Sequence, residues 1–338
     1  MKRILSACIA VLFVLLTLSS CDGAKKYTEY SFDYFDTVTT VSGYASTRAE
    51  FDEAVSLVMS ELDVYHKLYD IYNEYDGINN LYTVNRVTDG AHERVKVDRR
   101  IIDLLEFSLE MHRLTDGRCN VAMGSVLSIW HAYREAGEAV PPTQLLSGAA
   151  EHCDVNDLII YRDSDEVYIS DPDMTLDVGA VAKGYATEQI AKLLEEKGYT
   201  GYVLNVGGNV RCVGAQNDGS PWTVGVESAD EGAPYVAMLS LESESLVTSG
   251  NYQRFYTVDG VRYHHIIDPD TLFPSDRYVS VSVLSADSGI CDALSTALFS
   301  MDTEAGMALL EGLDGACAIW VKADGSVTYS TGIEKYLK

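Results

Sequence analysis

Several short segments carry side chains whose types and spacing could do chemistry. Asp292 and Thr296, in Asp292-Ala-Leu-Ser-Thr296, are four residues apart on a predicted helix running from Gly289 to Phe299. They share one helix face, where a carboxylate and a hydroxyl could both coordinate a hard cation such as Mg2+. The same pair also suits an acidic residue near a helix N-terminus beside an exposed Thr. A second segment runs from Met174 to Leu194 through Asp177-Val-Gly-Ala-Val-Ala-Lys183-Gly184. Met174 to Val178 reads as a strand and Gly179 and Gly184 bracket a tight connection. From about Lys183 a helix follows, with Ala186, Ile190, Leu193 and Leu194 on one stripe. A strand that passes through small residues into a helix start offers free N–H groups and a helix dipole to a phosphate. Asp177 would bring a cation-attracting anion there and Lys183 a phosphate-attracting cation. The pattern is neither a Walker loop nor Gly-x-Gly-x-x-Gly, and an ordinary strand-to-helix junction packed through Gly has the same appearance. Two further segments are a small polar turn, Thr248-Ser-Gly-Asn-Tyr252, and His264-His265-Ile-Ile-Asp268-Pro269 at the end of a strand. His264 and His265 alternate across that strand, so one can be packed while the other serves as acid or base.

The elements that must position these groups are strand-rich with segregated helices. Helices are expected over Ala49–Tyr69, Arg99–Leu114, Val121–Tyr133, Gly289–Phe299 and Thr303–Leu310. Strands are expected from Phe35 to Val41, as a hairpin over Leu158–Ser170, and over Tyr202–Val206, Trp222–Glu227, Tyr235–Leu241 and Tyr278–Leu284. Arg254–Val258 and Val261–Ile267 flank Asp259-Gly260, a two-residue hairpin signal, and Cys317–Lys322 with Ser326–Tyr329 closes the chain. Ile71 to Val84 reads as a Tyr- and Asn-rich loop, and residues 21–29 as a polar tether. The order implies an α+β fold, mainly antiparallel, forming one domain over residues 30–338.

The 338 residues suffice for a substantial core, and 47% hydrophobic with 22% charged residues is a globular composition. With 51 acidic against 25 basic side chains, the net charge of −26 excludes nucleic acid as a natural partner. It also repels any phosphate ligand unless a cation inverts the field locally. Residues 1–20 read as a processed leader: Lys2 and Arg3, an apolar core from Ile4 to Leu18, then Leu18-Ser19-Ser20-Cys21. This resembles a bacterial lipoprotein signal that makes Cys21 the lipidated N-terminus; a plain secretory signal or an anchor helix are the alternatives. The expected location is the outer side of a membrane, tethered by lipid. The other cysteines form neither a Cys-x-x-Cys pair nor an even set, so no disulfide framework or zinc site is indicated.

Together and in this order, Leu176-Asp-Val-Gly-Ala-Val-Ala-Lys-Gly184, Asn205-Val-Gly-Gly208, Thr248-Ser-Gly250, His265-Ile-Ile-Asp-Pro269 and Asp292-Ala-Leu-Ser-Thr296 resemble the ApbE family of FAD:protein FMN transferases. The resemblance implies an Mg2+-dependent transfer of FMN from FAD to a Thr hydroxyl of a target flavoprotein, with release of AMP. Residue by residue, it implies Mg2+ held by Asp292, Thr296 and the Ala180 carbonyl. It implies a flavin nucleotide pocket formed by Phe35, Tyr72, Cys119, Asn120, Val121, Asp177, Lys183, His265 and Ile266. It gives His265, with Asp268, the task of taking the proton from the acceptor Thr. The chain departs from the family pattern at Phe35-Asp36 (Met-Gly), Asn120 and Asn209 (both commonly Asp) and Thr271-Leu272 (Thr-Gly), all around the pocket. Hydrolysis of FAD to FMN and AMP, and non-catalytic FAD binding by a lipoprotein, are rival readings.

Overall fold

Residues 23–87, 93–228 and 234–338 are described in the computed structural model, and its elements follow the polarity of the sequence. The leader and Cys21 lie outside the described residues. A hairpin opens the fold: β1 (Lys25–Tyr34) and β2 (Thr37–Ala45) join through Phe35-Asp36. Both turn residues have positive φ, 53° and 51°, the mirror-image turn whose twist matches antiparallel strands. Helix α1 (Arg48–Tyr69) is capped by Thr47, which accepts from the Glu50 N–H, while the Glu50 carboxylate accepts from the Ser46 N–H. Phe51, Val55, Val58, Leu62 and Tyr65 form its buried stripe.

After α1 come α2 (Leu81–Val87), β3 (Val95–Lys96), α3 (Arg99–Leu114), α4 (Gly124–Ala136) and α5 (Thr143–Ala150). The hairpin β4 (Leu158–Tyr161) and β5 (Glu166–Ile169) leads through an extended stretch to α6 (Ala182–Glu196). Then follow β6 (Tyr202–Val206), β7 (Asn209–Val213), β8 (Trp222–Glu227), β9 (Tyr235–Leu241), β10 (Ser245–Gly250), β11 (Phe255–Val258), β12 (Val261–His264) and β13 (Ser280–Ser285). Helices α7 (Ser288–Ser300) and α8 (Thr303–Glu311) and the pair β14 (Cys317–Val321) and β15 (Val327–Tyr329) complete the chain.

The main sheet has eight strands in the order β1-β2-β6-β7-β10-β13-β14-β15, every neighbouring pair antiparallel. Side-chain alternation gives it two buried faces. Val247, Val281 and Val283 pack toward α7, and Leu246, Leu284 and Ile319 pack against β8 and β9. A buried ion pair ties α6 to the sheet. Glu188 accepts from Arg211 Nε at 3.0 Å and from the backbone N–H of Ser288 at 2.9 Å, so one carboxylate fixes α6, β7 and the start of α7 together. Cys119, Cys212, Cys291 and Cys317 are buried free thiols and Cys153 is partly buried.

Several local expectations are corrected. Met174–Val178 is extended but belongs to no ladder. The side chain of Asn85 pairs with both the N–H and the C=O of Leu176, and Val121 O accepts from the Asp177 N–H. Thr248, Ser249 and Gly250 lie within β10 and are not a turn. The expected loop Ile71–Val84 ends in α2, and β1 begins at Lys25, inside the expected tether. Phe35-Asp36 is a turn between two strands, so the expected Phe35–Val41 strand starts at Thr37. Among the described residues no helix is long and apolar enough to cross a membrane.

Candidate active site

A cavity of about 680 Å³ is lined by the starts of α6 and α7, the β1–β2 turn, the end of β10 and the β11–β12 hairpin. Its size falls within the range of roughly 300–1,000 Å³ typical of small-molecule sites. Asp177, Ala180, Lys183, His265, Ile266, Asp292 and Thr296 all line it, as do Phe35, Tyr72, Cys119 and Asn120.

One close helix contact brings the oxygen donors together. A Cβ at Gly184 would lie 2.4 Å from Asp292 Cβ and 2.4 Å from the Ser288 carbonyl oxygen, so only hydrogen allows α6 and α7 to meet here. The Gly184 N–H donates to Asp292 Oδ2 at 2.8 Å. Asp292 is not the helix cap: Asp287 is, accepting from the N–H groups of Gly289 and Ile290. Burial pushes the Asp292 carboxyl above its usual range, while the Lys183 charge and the Gly184 N–H pull it back. Its other oxygen has no protein hydrogen bond among the described residues. That free carboxylate oxygen, the Thr296 hydroxyl one turn along and the Ala180 carbonyl on the same cavity are all hard oxygen donors. The set fits a cation of the Mg2+ type and not a soft metal.

Around this point the walls carry charge. The Asp177 carboxylate accepts from the Gly179 N–H at 2.8 Å. Burial raises its pKa, opposed first by that hydrogen bond and then by the charges of His131, Arg254 and Lys183. Burial followed by the charge of Asp292 pushes the Cys119 thiol up to about 12, so it stays protonated. Asn120 accepts from the Ala122 N–H and donates to Cys153 O, which fixes the wall it forms.

The two histidines divide between core and cavity, but the expected strand to Ile267 is cut short: β12 ends at His264 and His265 lies in the bend after it. His264 is buried and hydrogen-bonded through Nε2 to Ser275 O, and His265 lines the cavity. The Nδ1 of His265 lies 3.2 Å from the Arg254 carbonyl, which can only accept. Nδ1 therefore carries the proton and Nε2 has the free lone pair. Burial, then the charges of Lys183 and Arg254, lower the His265 pKa to about 3.

Two expected placements fail. Asp268 does not pair with His265. Its carboxylate accepts from Arg118 at 3.1 Å and from the Asp270 N–H at 2.9 Å, because the turn at Pro269 carries it away from the cavity. Val121 is core, 1% exposed, and supports the site only through its carbonyl bond to the Asp177 N–H. Other wall residues were not singled out from sequence. His131 and Arg134 come from α4 and Arg254 from the approach to β11, and Asn209 of β7, the family departure named above, also lines the cavity. The only sequence signal for Arg254 was a basic residue four positions after Gly250 in a strongly acidic chain. Besides the positive φ at Phe35-Asp36, two further family departures have visible local consequences. Leu272 holds φ 62° where the family pattern has Gly, its carbonyl accepting from Trp130 Nε1 at 2.8 Å. Asn209 donates to Val206 O, while its Oδ1 is buried without a partner among the described residues.

Fold and site together define a class: an α+β protein with an open, nucleotide-sized cavity whose walls combine hard oxygen donors, cations and the imidazole of His265. The chain belongs to the ApbE family, whose model matches residues 35–320. A protein of Treponema pallidum named FAD:protein FMN transferase is 31% identical over 338 residues, covering 95% of this chain and 92% of that one. A Klebsiella pneumoniae protein of the same name is 29% identical, covering 78% of this chain and 84% of its own. The crystal structure of the ApbE protein of Thermotoga maritima superposes with a TM-score of 0.82 at 25% identity, over 93% of this chain and all of that one. The flavin transferase ApbE of Vibrio cholerae has the same fold, with a TM-score of 0.78 at 23% identity over 93% of this chain and 100% of its own.

Proposed function

We propose that this protein transfers FMN from FAD to the hydroxyl of a Thr on a target flavoprotein, releasing AMP, with Mg2+ as the required cation. The observation that carries this reading is that Asp292, Thr296, Ala180, Lys183 and His265, whose Nε2 keeps a free lone pair, all line one cavity. Membership of the family and the names of the relatives support it. Asp292, Thr296 and the Ala180 carbonyl would hold Mg2+, which when bound neutralises the charge of the pyrophosphate and of the departing AMP.

The protein's own groups do the rest. Lys183, at the first turn of α6, sets a positive charge beside the phosphates in a chain whose overall field repels them. Phe35 and Tyr72 supply flat apolar surface for the rings. His265 Nε2 accepts the proton of the acceptor Thr as its oxygen bonds to the FMN-side phosphorus and the bridging P–O bond to AMP breaks. The Arg254 carbonyl, by holding Nδ1–H, keeps that lone pair turned to the cavity. Phosphoryl transfer is mainly positioning and charge neutralisation, and both are what rigid elements such as α6 and α7 provide. The same reading places the mature protein outside the cytoplasm, anchored through lipid on Cys21.

The test is direct. Full-length protein is incubated with FAD, Mg2+ and a target domain carrying one acceptor Thr, and the target is weighed by mass spectrometry. A gain equal to FMN, lost when EDTA is added, is the expected result. No gain over prolonged incubation overturns the reading, and free FMN with AMP in the absence of target points to hydrolysis. Replacing Cys21 with Ala should move the protein from the membrane fraction to the soluble one; an unchanged distribution overturns the anchor.

A further inference from the structure

The cavity has four Lys and Arg side chains on its walls: Arg118, Arg134, Lys183 and Arg254. Two are occupied by protein. Arg118 forms ion pairs with Asp268 and Asp270. Arg134 lies 2.7 Å from the Nδ1 of His131 and 3.8 Å from Glu135. Lys183 acts on the two site carboxylates, Asp292 and Asp177. Arg254 differs from the first two and, like Lys183, forms no ion pair among the described residues. Its side chain is exposed, and its guanidinium has no hydrogen bond or ion pair among the described residues. It stands at the cavity of a chain with 51 acidic and 25 basic residues, whose overall field repels anions.

We propose that Arg254 binds phosphate of the substrate dinucleotide, its guanidinium gripping the pyrophosphate from the β11 side while Lys183 does so from α6. This deepens the transferase reading and rests on it for the identity of the dinucleotide. Three observations carry it. Arg254 is on the cavity wall and unpaired. Its charge is felt inside the cavity, on Asp177 and on His265. Its backbone is fixed relative to the reacting end, because its carbonyl accepts from both the N–H and the Nδ1–H of His265, at 3.1 and 3.2 Å. A guanidinium offers a planar fork that matches two phosphate oxygens, which a lysine cannot reproduce.

The experiment measures binding of three probes to full-length protein in Mg2+: FAD, ADP, and riboflavin, which lacks phosphate. Arg254→Ala should weaken FAD and ADP by about ten- to a hundredfold, the loss expected for one charge-assisted hydrogen-bonded contact. Riboflavin affinity should stay as in the wild type, and Arg254→Lys should recover part of the loss. The dependence of ADP affinity on salt should also flatten in Arg254→Ala. Equal weakening of all three probes would mean that the residue only shapes the wall, and overturns the proposal; so does unchanged FAD and ADP affinity. A melting curve of the variant that matches the wild type excludes misfolding as the cause. Wild-type protein that binds FAD and ADP but labels no target defeats the transferase reading and leaves the phosphate contact intact, whereas wild-type protein that binds neither defeats both.

Discussion

Gly184→Ala tests the helix contact on which the site is built. The added methyl would lie 2.4 Å from Asp292 Cβ and 2.4 Å from the Ser288 carbonyl oxygen, which is backbone and cannot rotate away. An ordinary contact begins at 3.4 Å, so α6 and α7 must separate by about 1 Å. That shift carries the Gly184 N–H bond to Asp292, now 2.8 Å, beyond hydrogen-bond range. Overpacking costs about 1–3 kcal/mol and the lost charged hydrogen bond about 1.5–3 kcal/mol. The gain of Ala over Gly within a helix, about 1 kcal/mol, offsets part of this. The net is about 2–5 kcal/mol, or a Tm lowered by about 3–7 °C in a chain of this size. Misplacing the cation donors by 1 Å should also slow transfer about a hundredfold. Gly148→Ala in α5 is the control, because nothing lies within 4 Å of its Cβ position; the same substitution there should raise Tm slightly and leave activity alone. Calorimetry and the FMN-transfer assay on both variants decide the matter. A Gly184→Ala protein that is as stable and active as its Gly148→Ala counterpart refutes the reasoning.

Asp292→Asn should abolish cation-dependent transfer and remove stabilisation by Mg2+ in thermal melts, yet make the cation-free protein more stable at neutral pH. The sign follows from the raised carboxyl pKa. The folded state retains a proton that the unfolded state releases, so stability is lost as pH rises from the ordinary carboxyl value through the folded one. The difference between variant and wild type should therefore vanish near pH 3 and grow toward pH 7 in EDTA. His265 should remain neutral in the free protein at pH 5, with the proton on Nδ1, since its pKa is lowered to about 3; nitrogen NMR showing an imidazolium at that pH contradicts the tautomer assigned here. Glu188→Ala leaves the buried Arg211 guanidinium short of its main partner and should cost about 3–5 kcal/mol in urea unfolding; a loss below about 1 kcal/mol would show that the pair does not hold α6 and α7 in place.

Much of the site was legible because its parts are local. Asp292 and Thr296 share a face by helical spacing alone, and the split between a packed His264 and a cavity-facing His265 was expected from alternation, although His265 sits just past the end of β12. The Gly179–Gly184 segment announced a tight connection, although the reason for Gly184 is the passage of α7, more than a hundred residues later in the chain. What was not legible depended on distant partners. Met174–Val178 is extended like a strand, but its hydrogen bonds go to Asn85 and to Val121 O, which no periodicity reveals. Thr248 and Ser249 looked like turn residues by composition; instead the sheet takes them into β10, with their hydroxyls paired to Ser282 and Ser295. The family resemblance implied that Asp268 serves His265, but Arg118, 150 residues away, claims its carboxylate. Arg254 had no motif at all, and only the cavity shows that its charge is unspent on protein.

The central claim is that a hard cation sits between α7 and the bend before α6. Crystals grown with FAD and Mn2+ in place of Mg2+ would locate it by anomalous scattering. The account predicts one strong peak within about 2–2.3 Å of an Asp292 carboxylate oxygen, the Thr296 hydroxyl and the Ala180 carbonyl, with a phosphate oxygen completing its shell. A peak only elsewhere, for example at the surface group His152, Asp171 and Asp173, with Asp292 bare beside bound FAD, would contradict it.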